Sequence, residues 1–186
     1  MPAHLADMAA FTLATGLRRA NVTGLLWSQV DMVRRMAWIH PDQAKARKAI
    51  AVPLNADAVT IIRRWLGRHE THVFWFRGKP LTRVSTKAWY EALERAQIHD
   101  FRWHDLRHTW ASWHVQCGTP LYALQEMGGK SGYGAALRAL HGRARCFIRG
   151  SPVRFAGSGQ FDASCQRHVY GTAVKEKGPA SLHALE

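Results

Sequence analysis

The sequence has few cysteines, no long apolar run and no opening that resembles a secretion signal. Its cysteines, Cys117, Cys146 and Cys165, are odd in number and form no CxxC pair, so we predict neither a disulfide framework nor a zinc site. No apolar run is long enough to span a membrane, and no charged, apolar and small-residue succession begins the chain. These absences favour a cytoplasmic protein without a structural metal.

Acidic residues are also scarce. The chain has 13 Asp and Glu against 26 Lys and Arg, which gives a formal net charge of +13 and a pI near 10.5. Clustered basic side chains release counterions from a phosphate backbone, so this balance indicates a polyanionic partner. Ribosomal, nucleoid and membrane-surface proteins share such a charge, which therefore does not choose among them.

Apolar periodicity predicts one mostly helical domain. The chain has 186 residues, of which 47% are apolar, enough for a substantial core. Helical spacing and start signals predict these helices: 3–15, Asn21 (as N-cap) to Trp27, one beginning at Asn55, Ser85 (as N-cap) to Ala96, Asp105 to Cys117, and one beginning at Thr119-Pro120. In the helix after Asn55, we expect an apolar face and an exposed face. The apolar face would consist of Val59, Ile62, Trp65 and Leu66. The exposed face would carry Arg63, Arg64 and Arg68.

Strand-forming residues interrupt these helices. The runs 36–39 and 49–52 flank a basic stretch, 41–48, which predicts a β-hairpin with an exposed basic tip. We expect the apolar run 73–76 to join the same small antiparallel sheet. The predicted fold class is therefore α+β.

One segment concentrates groups that suit an oxyanion. Residues 101–114 place His104, Arg107 and His108 in a run rich in tryptophan. On a helix His104 and Arg107 are i,i+3 neighbours, as are Arg107 and Trp110. An arginine beside a histidine on an apolar scaffold grips an oxyanion and exchanges a proton. A core helix whose His and Arg merely reach solvent is the simpler interpretation of this motif alone.

A second arginine motif lies upstream, at Thr15-Gly16-Leu17-Arg18. Together with residues 104–112 and the basic stretch 42–54, it resembles the motifs of the tyrosine recombinases, the phage integrase family, in the family's order and spacing. The resemblance covers roughly residues 3–128. It implies the family's catalytic-domain fold, that of the DNA breaking-rejoining enzymes.

The resemblance also implies a chemistry. In the family, a tyrosine hydroxyl attacks the scissile phosphate of duplex DNA and forms a 3′-phosphotyrosine, with no cofactor and no metal. Arg18 and Arg107 match the arginines that stabilise the pentavalent phosphate, Lys45 the lysine that protonates the leaving oxygen, and His104 the histidine beside them. Partners would be double-stranded DNA and recombinase protomers of the same kind.

Other residues near these motifs receive secondary interpretations. Arg19 competes with Arg18 for the motif position, but we favour a surface arginine there. Arg47 and Lys48 share the predicted hairpin tip with Lys45, and phosphate contact is their simpler role; Arg19 is a further candidate for DNA contact. Structural roles are expected for the remaining histidines and the tryptophans of the segment: His108, His114, Trp103, Trp110 and Trp113.

The resemblance stops after Gly128, where periodicity is also lost. Residues 129–186 supply no tyrosine at the family's position, so no nucleophile is identifiable; Tyr133 comes about one helical turn too early. Codons permitted for residues 133–148, read from each second base, allow Met-Val-Arg-Arg-Tyr-Ala-His-Phe-Thr-Ala-Glu-His, which resembles the family's nucleophile segment. We therefore predict a frameshift near residues 128–130, followed by an aberrant, disordered basic tail. The family's N-terminal DNA-clamping domain is also missing, so residues 1–128 would be an incomplete catalytic domain.

Three functions remain open from the sequence. The chain is a degenerate, pseudogene-like recombinase copy from a mobile element, without its nucleophile. Alternatively, it is a working recombinase in which Tyr133 or Tyr170 replaces the lost tyrosine. The third alternative is a non-catalytic basic DNA-binding protein.

Overall fold

The computed structural model describes residues 1–44 and 48–128. Its elements, in chain order, are α1 (Ala3–Thr15), α2 (Arg19–Thr23), a 3-10 turn (Trp27–Gln29), β1 (Val30–Asp31), β2 (Met36–Ile39), β3 (Ile50–Pro53), α3 (Ala56–Trp65), β4 (Trp75–Phe76), β5 (Lys79–Pro80), α4 (Lys87–Arg95), α5 (Trp103–Gln116) and α6 (Leu121–Gly128). Among the described residues, no helix is both long and apolar enough to cross a lipid bilayer. The predicted α+β class, mostly helical, is confirmed.

Helix α1 packs against both α3 and α5. Its Leu5, Met8 and Phe11 recur at helical spacing and are fully buried, each contributing about 2 kcal/mol through the hydrophobic effect. The Phe11 ring centroid lies 5.3 Å from that of Phe74, which lies 5.5 Å from that of Trp65 on α3. This aromatic core fixes α1, whose C-terminal end leads into the first arginine motif.

The main sheet has three antiparallel strands in the order β1-β2-β3. Ala37 and Ile39 on β2 and Ile50 and Val52 on β3 point into the core, as the alternating pattern predicts. Ile39 pairs with Ile50 at the end of the hairpin where the two strands are connected. The chain between these two residues is therefore the connection that carries the basic stretch, and the predicted hairpin is confirmed.

The expectation that residues 73–76 join this sheet is wrong. Strand β4 pairs only with β5, through a two-residue turn in which Arg77 and Gly78 both have positive φ. The residues just before β4 bond instead to the segment after α2, since the Val73 N–H donates to the Leu25 carbonyl at 2.9 Å. A competing partner close in space thus removes the run from the sheet.

Local sequence signals predict some of the helix starts and miss others. The Asn55 side chain accepts a hydrogen bond from the Ala58 N–H at 2.9 Å and caps α3, as predicted. Asn21 is not an N-cap, because α2 begins at Arg19 and Asn21 is buried inside it. The N-cap position of α4 is Thr86 rather than Ser85, and its side chain makes no capping hydrogen bond.

Other boundaries also shift by a residue or two. Helix α5 begins before Asp105, whose carboxylate accepts from the Arg102 N–H at 2.8 Å. Leu66 follows the end of α3 and is exposed, so its predicted place on the apolar face is wrong.

Candidate phosphate-binding site

The first arginine motif is a tight turn between α1 and α2. Gly16 ends α1 in the left-handed conformation, with φ +64°, and its N–H donates to the Thr12 carbonyl at 2.8 Å. Leu17 is buried and anchors the turn. Arg18 follows as the N-cap of α2, partly buried, while Arg19 is exposed. Burial lowers the pKa of Arg18 below its ordinary value.

Helix α5 delivers Arg107 to the same turn. The Arg107 side chain is only 3% exposed, and its two terminal nitrogens donate to the carbonyls of Gly16 and Gly128. These carbonyls lie at the C-terminal ends of α1 and α6, where the helix dipoles place partial negative charge. The buried guanidinium is thus stabilised by two helix ends.

Arg107 and Arg18 act on each other electrostatically. Burial, and then the charge of Arg18, lower the pKa of Arg107 to about 10, so it stays protonated at neutral pH. The Arg107 guanidinium also donates to the Gly16 carbonyl, two residues before Arg18, so the two motifs meet at the α1–α2 turn. The fold therefore brings together the two arginines that sequence reasoning selected.

Trp110 lies one helical turn after Arg107 and is 3% exposed. Its ring rests on the Gly16 backbone, because a Cβ at that position would be 2.3 Å from the Trp110 Cδ2 atom. The other edge of the ring reaches Gly128, where a Cβ would be 3.4 Å from Cζ3. Trp110 is a core residue, as predicted, and the same two glycines meet both its ring and the Arg107 guanidinium.

The three histidines of α5 have different surroundings. His104 is exposed, and its ring lies edge-on to that of His108, with centroids 4.8 Å apart. His114 is buried, its Nδ1 lies 3.1 Å from the Thr119 hydroxyl, and its ring lies 4.7 Å from that of Trp110. Burial lowers the pKa of His114 to about 4, so it is neutral at pH 7. This environment fits the predicted structural role of His114.

Two candidates on the hairpin, Lys45 and Arg47, lie outside the described residues, as do Tyr133 and Tyr170 and the whole stretch 129–186. Lys48 is described and exposed. Within residues 1–44 and 48–128, no group of three or more His, Cys, Asp or Glu side chains is arranged to hold a metal ion.

Sequence reasoning missed Gln29, which is 1% exposed. Its Oε1 accepts from the Leu26 N–H at 3.0 Å, and its Nε2 donates to the Gln43 Oε1 at 2.6 Å. The next residue, Ala44, is buried, so the chain is held at the point where the basic connection leaves the domain. A single glutamine between motifs carries no sequence signal for such a role.

Similar proteins agree on the fold. A sequence profile of the phage integrase family matches residues 1–133. The chain is 46% identical over 138 residues to the integrase of Salmonella phage P22, covering 67% of this chain and 36% of that protein. It is 31% identical over 140 residues to tyrosine recombinase XerC of Neisseria gonorrhoeae, covering 70% and 45%. The chain thus spans less than half the length of these curated relatives.

Solved structures give the same result at lower identity. The Tn1549 transposon integrase in complex with a circular intermediate DNA superposes with a TM-score of 0.59 at 19% identity, covering 72% of this chain and 52% of that one. XerA recombinase superposes with a TM-score of 0.56 at 18% identity, covering 78% and 64%. The chain belongs to the phage integrase family and has the fold of a tyrosine recombinase catalytic domain.

Proposed function

We propose that this chain binds a phosphate of duplex DNA between Arg18 and Arg107, as part of a site-specific recombination site of the tyrosine recombinase type. The observation that carries the proposal is that the Arg107 guanidinium donates to the Gly16 carbonyl, two residues before the partly buried Arg18, at the α1–α2 turn. Each loses solvation through burial, and the charge of Arg18 further lowers the pKa of Arg107. A phosphate oxyanion beside both would offset the two costs together, which water alone does not do.

The same arrangement suits the strained phosphate of a transfer reaction. A pentavalent phosphate carries extra charge on its non-bridging oxygens, and preorganised cations lower its free energy. Arg107 is preorganised because two carbonyls hold its guanidinium. Arg18, which is more exposed, would make the outer contact.

Two further residues complete the proposed chemistry. His104 lies three residues before Arg107 at the exposed start of α5, where an imidazole can donate to a phosphate oxygen. Lys45, on the connection that begins beside Gln43, would protonate the 5′-oxygen leaving group. Arg19, Arg47 and Lys48 would contact neighbouring phosphates, and protomers of the same chain would supply the remaining sites of a synapse.

The chain as written would bind DNA without cutting it. Arginines stabilise the transition state only when a nucleophile stands in line with the leaving oxygen. No tyrosine occupies the family's position after Gly128, where the sequence has lost its resemblance. We therefore propose a degenerate copy of a cytoplasmic recombinase, which retains phosphate binding and has lost strand cleavage.

A nicked suicide DNA substrate tests this proposal. The chain should retain the DNA at low salt and form no covalent adduct, whereas a frame-restored version should form one. A covalent adduct with the unrestored chain that Tyr133→Phe abolishes would contradict the loss of the nucleophile. It would support instead the alternative in which Tyr133 substitutes.

Adjacent arginines provide a matched control for the binding part. Arg18→Ala should weaken DNA retention more than Arg19→Ala, because Arg18 is partly buried and its charge acts on Arg107, whereas Arg19 is exposed. Equal losses from the two variants would favour the second candidate function, a non-catalytic protein that binds DNA through general basic charge. The exposed Arg63 and Arg68 on and after α3 are the observation behind that candidate.

A further inference from the structure

We propose that Trp110 is a positioning residue for Arg107, because its ring sets how closely the backbones of Gly16 and Gly128 approach the guanidinium. This inference rests on the proposed phosphate-binding role of Arg107. It assigns to Trp110 a task beyond filling the core, and the task involves only described residues.

The contacts of the ring support this assignment. Three carbons of the Trp110 ring would lie 2.3 to 2.7 Å from a Cβ at position 16, and two would lie 3.4 and 3.6 Å from a Cβ at position 128. Real Cβ atoms do not approach ring carbons at the first distance, so the ring touches the bare Cα of Gly16. Trp110 therefore acts as a spacer between the ends of α1 and α6.

Arg107 uses the same two glycines. Its terminal nitrogens donate to the Gly16 and Gly128 carbonyls, and its position three residues before Trp110 places both side chains on one face of α5. A Cβ at position 128 would also lie 3.1 Å from the Arg107 Nη2 atom. Any change in ring size at position 110 therefore moves the carbonyls that orient the guanidinium.

The His114 ring also contacts the Trp110 ring. His114 packs against it with centroids 4.7 Å apart, and His114 itself meets the Thr119 hydroxyl at 3.1 Å. Because the ring contacts the His114 ring as well as the Gly16 backbone, a smaller residue leaves space beside the glycine backbone. The effect should therefore reach Arg107 rather than stop at the core.

Trp103 provides a matched control. It lies on the same helix, has the same 3% exposure, and packs against Trp89 with ring centroids 4.8 Å apart, away from either glycine. Trp110→Phe and Trp103→Phe remove the same number of atoms from α5. A general loss of stability should therefore be common to both variants, whereas a change at Arg107 should follow Trp110 alone.

The first measurement needs no DNA. In the full chain with ¹⁵N-labelled arginine, we expect Trp110→Phe to shift the guanidinium resonances of Arg107, and Trp103→Phe to leave them in place. If Trp110→Phe does not fold, Trp110→Tyr is the second variant, with Trp103→Tyr as its control, and it should shift the same resonances. Unchanged Arg107 resonances in the folded variant, or equal changes in the Trp103 control, would overturn the inference.

The second measurement connects the spacer to DNA. Trp110→Phe should lower the slope of log affinity against log salt by about 0.9, the value for one phosphate contact, and Trp103→Phe should not. A slope that both variants keep would overturn the link between Trp110 and phosphate binding. If the unchanged chain retains no DNA at low salt, the proposed function fails, and the resonances alone then decide whether Trp110 positions Arg107.

Discussion

The two regions of the molecule that carry the candidate residues are built differently. On one side, Arg107 and Trp110 are buried and bound to the backbone of Gly16 and Gly128. On the other side, the basic connection is held at its base by one side-chain pair, Gln29 and Gln43, the second of which is exposed. A charge that stabilises a transition state gains from being fixed in advance, whereas a group that transfers a proton must approach a substrate that has to enter first. The two constructions would suit the tasks proposed for Arg107 and for Lys45.

The largest effect should come from Gly16→Ala on the fixed side. The new Cβ would meet the Trp110 ring at 2.3 Å at a position with φ +64°, so we expect a loss of about 3 kcal/mol or more in the free energy of unfolding. Denaturant unfolding measures this loss. Gly67→Ala is the control, because it has a similar φ of +73° with nothing within 4 Å, and it should cost about 1 kcal/mol. Equal losses would mean that Trp110 does not crowd Gly16.

Acid should weaken the same side through His114. Its pKa is lowered from 6.5 to about 4 in the folded chain, so the unfolded chain binds more protons between these values. This contribution to stability is fully present above pH 6.5 and is lost as the pH falls toward 4, by up to about 3 kcal/mol. Unfolding free energies measured across this range should show the loss, and His114→Asn should flatten it. His104→Asn, at an exposed position, should leave the dependence in place.

A smaller effect is expected at the base of the basic connection. Gln29→Met keeps the side-chain length but leaves the Leu26 N–H without its acceptor, so it should cost about 1–2 kcal/mol in unfolding free energy. Gln43→Met should cost less unfolding free energy, because Gln43 is exposed and water can replace its amide oxygen as the acceptor for Gln29. Chemical denaturation compares the two variants. If Gln43→Met costs as much as Gln29→Met, the buried amide is not what holds this side.

The smallest effect on stability should come from Lys48→Ala. Lys48 is exposed, so we expect a change within about 0.5 kcal/mol in unfolding free energy. DNA affinity should still decline, with the salt slope lowered by about 0.9 for one lost phosphate contact. Filter binding across a salt series measures the slope. An unchanged slope would remove Lys48 from the proposed DNA-contact residues.

Sequence reasoning predicted the helices and strands better than it predicted which of them lie next to each other in space. Periodicity placed α1 and α3, and Asn55 capped α3 as expected, because these features depend on residues a few positions apart. The run at 73–76 was assigned to the wrong sheet, since strand pairing depends on which distant backbone competes for its hydrogen bonds. Asn21 failed as a cap because burial inside α2 outweighed its local preference.

The candidate site shows the same limit. The two motifs selected Arg18 and Arg107, and the fold brings them together. Neither motif indicated that Arg107 would be buried against two carbonyls. Every residue has a backbone carbonyl, so the residue types at positions 16 and 128 do not show which carbonyls accept from Arg107. Sequence reasoning missed Gln29 for a related reason. Its importance comes from burial and from its hydrogen bond to Gln43, which lies on the connection between β2 and β3.

The helix ends that meet Arg107 have a consequence for how the site tolerates change. A carboxylate partner can be neutralised by acid or removed by one substitution, whereas a peptide carbonyl has no ionisable proton and is present whatever residue follows the Cα atom. The support of Arg107 by Gly16 and Gly128 is therefore not removed by acid, since neither the carbonyls nor the guanidinium loses its role as the pH falls. It is sensitive instead to bulk, since a single added methyl group at either position enters the space that the ring and the guanidinium already occupy.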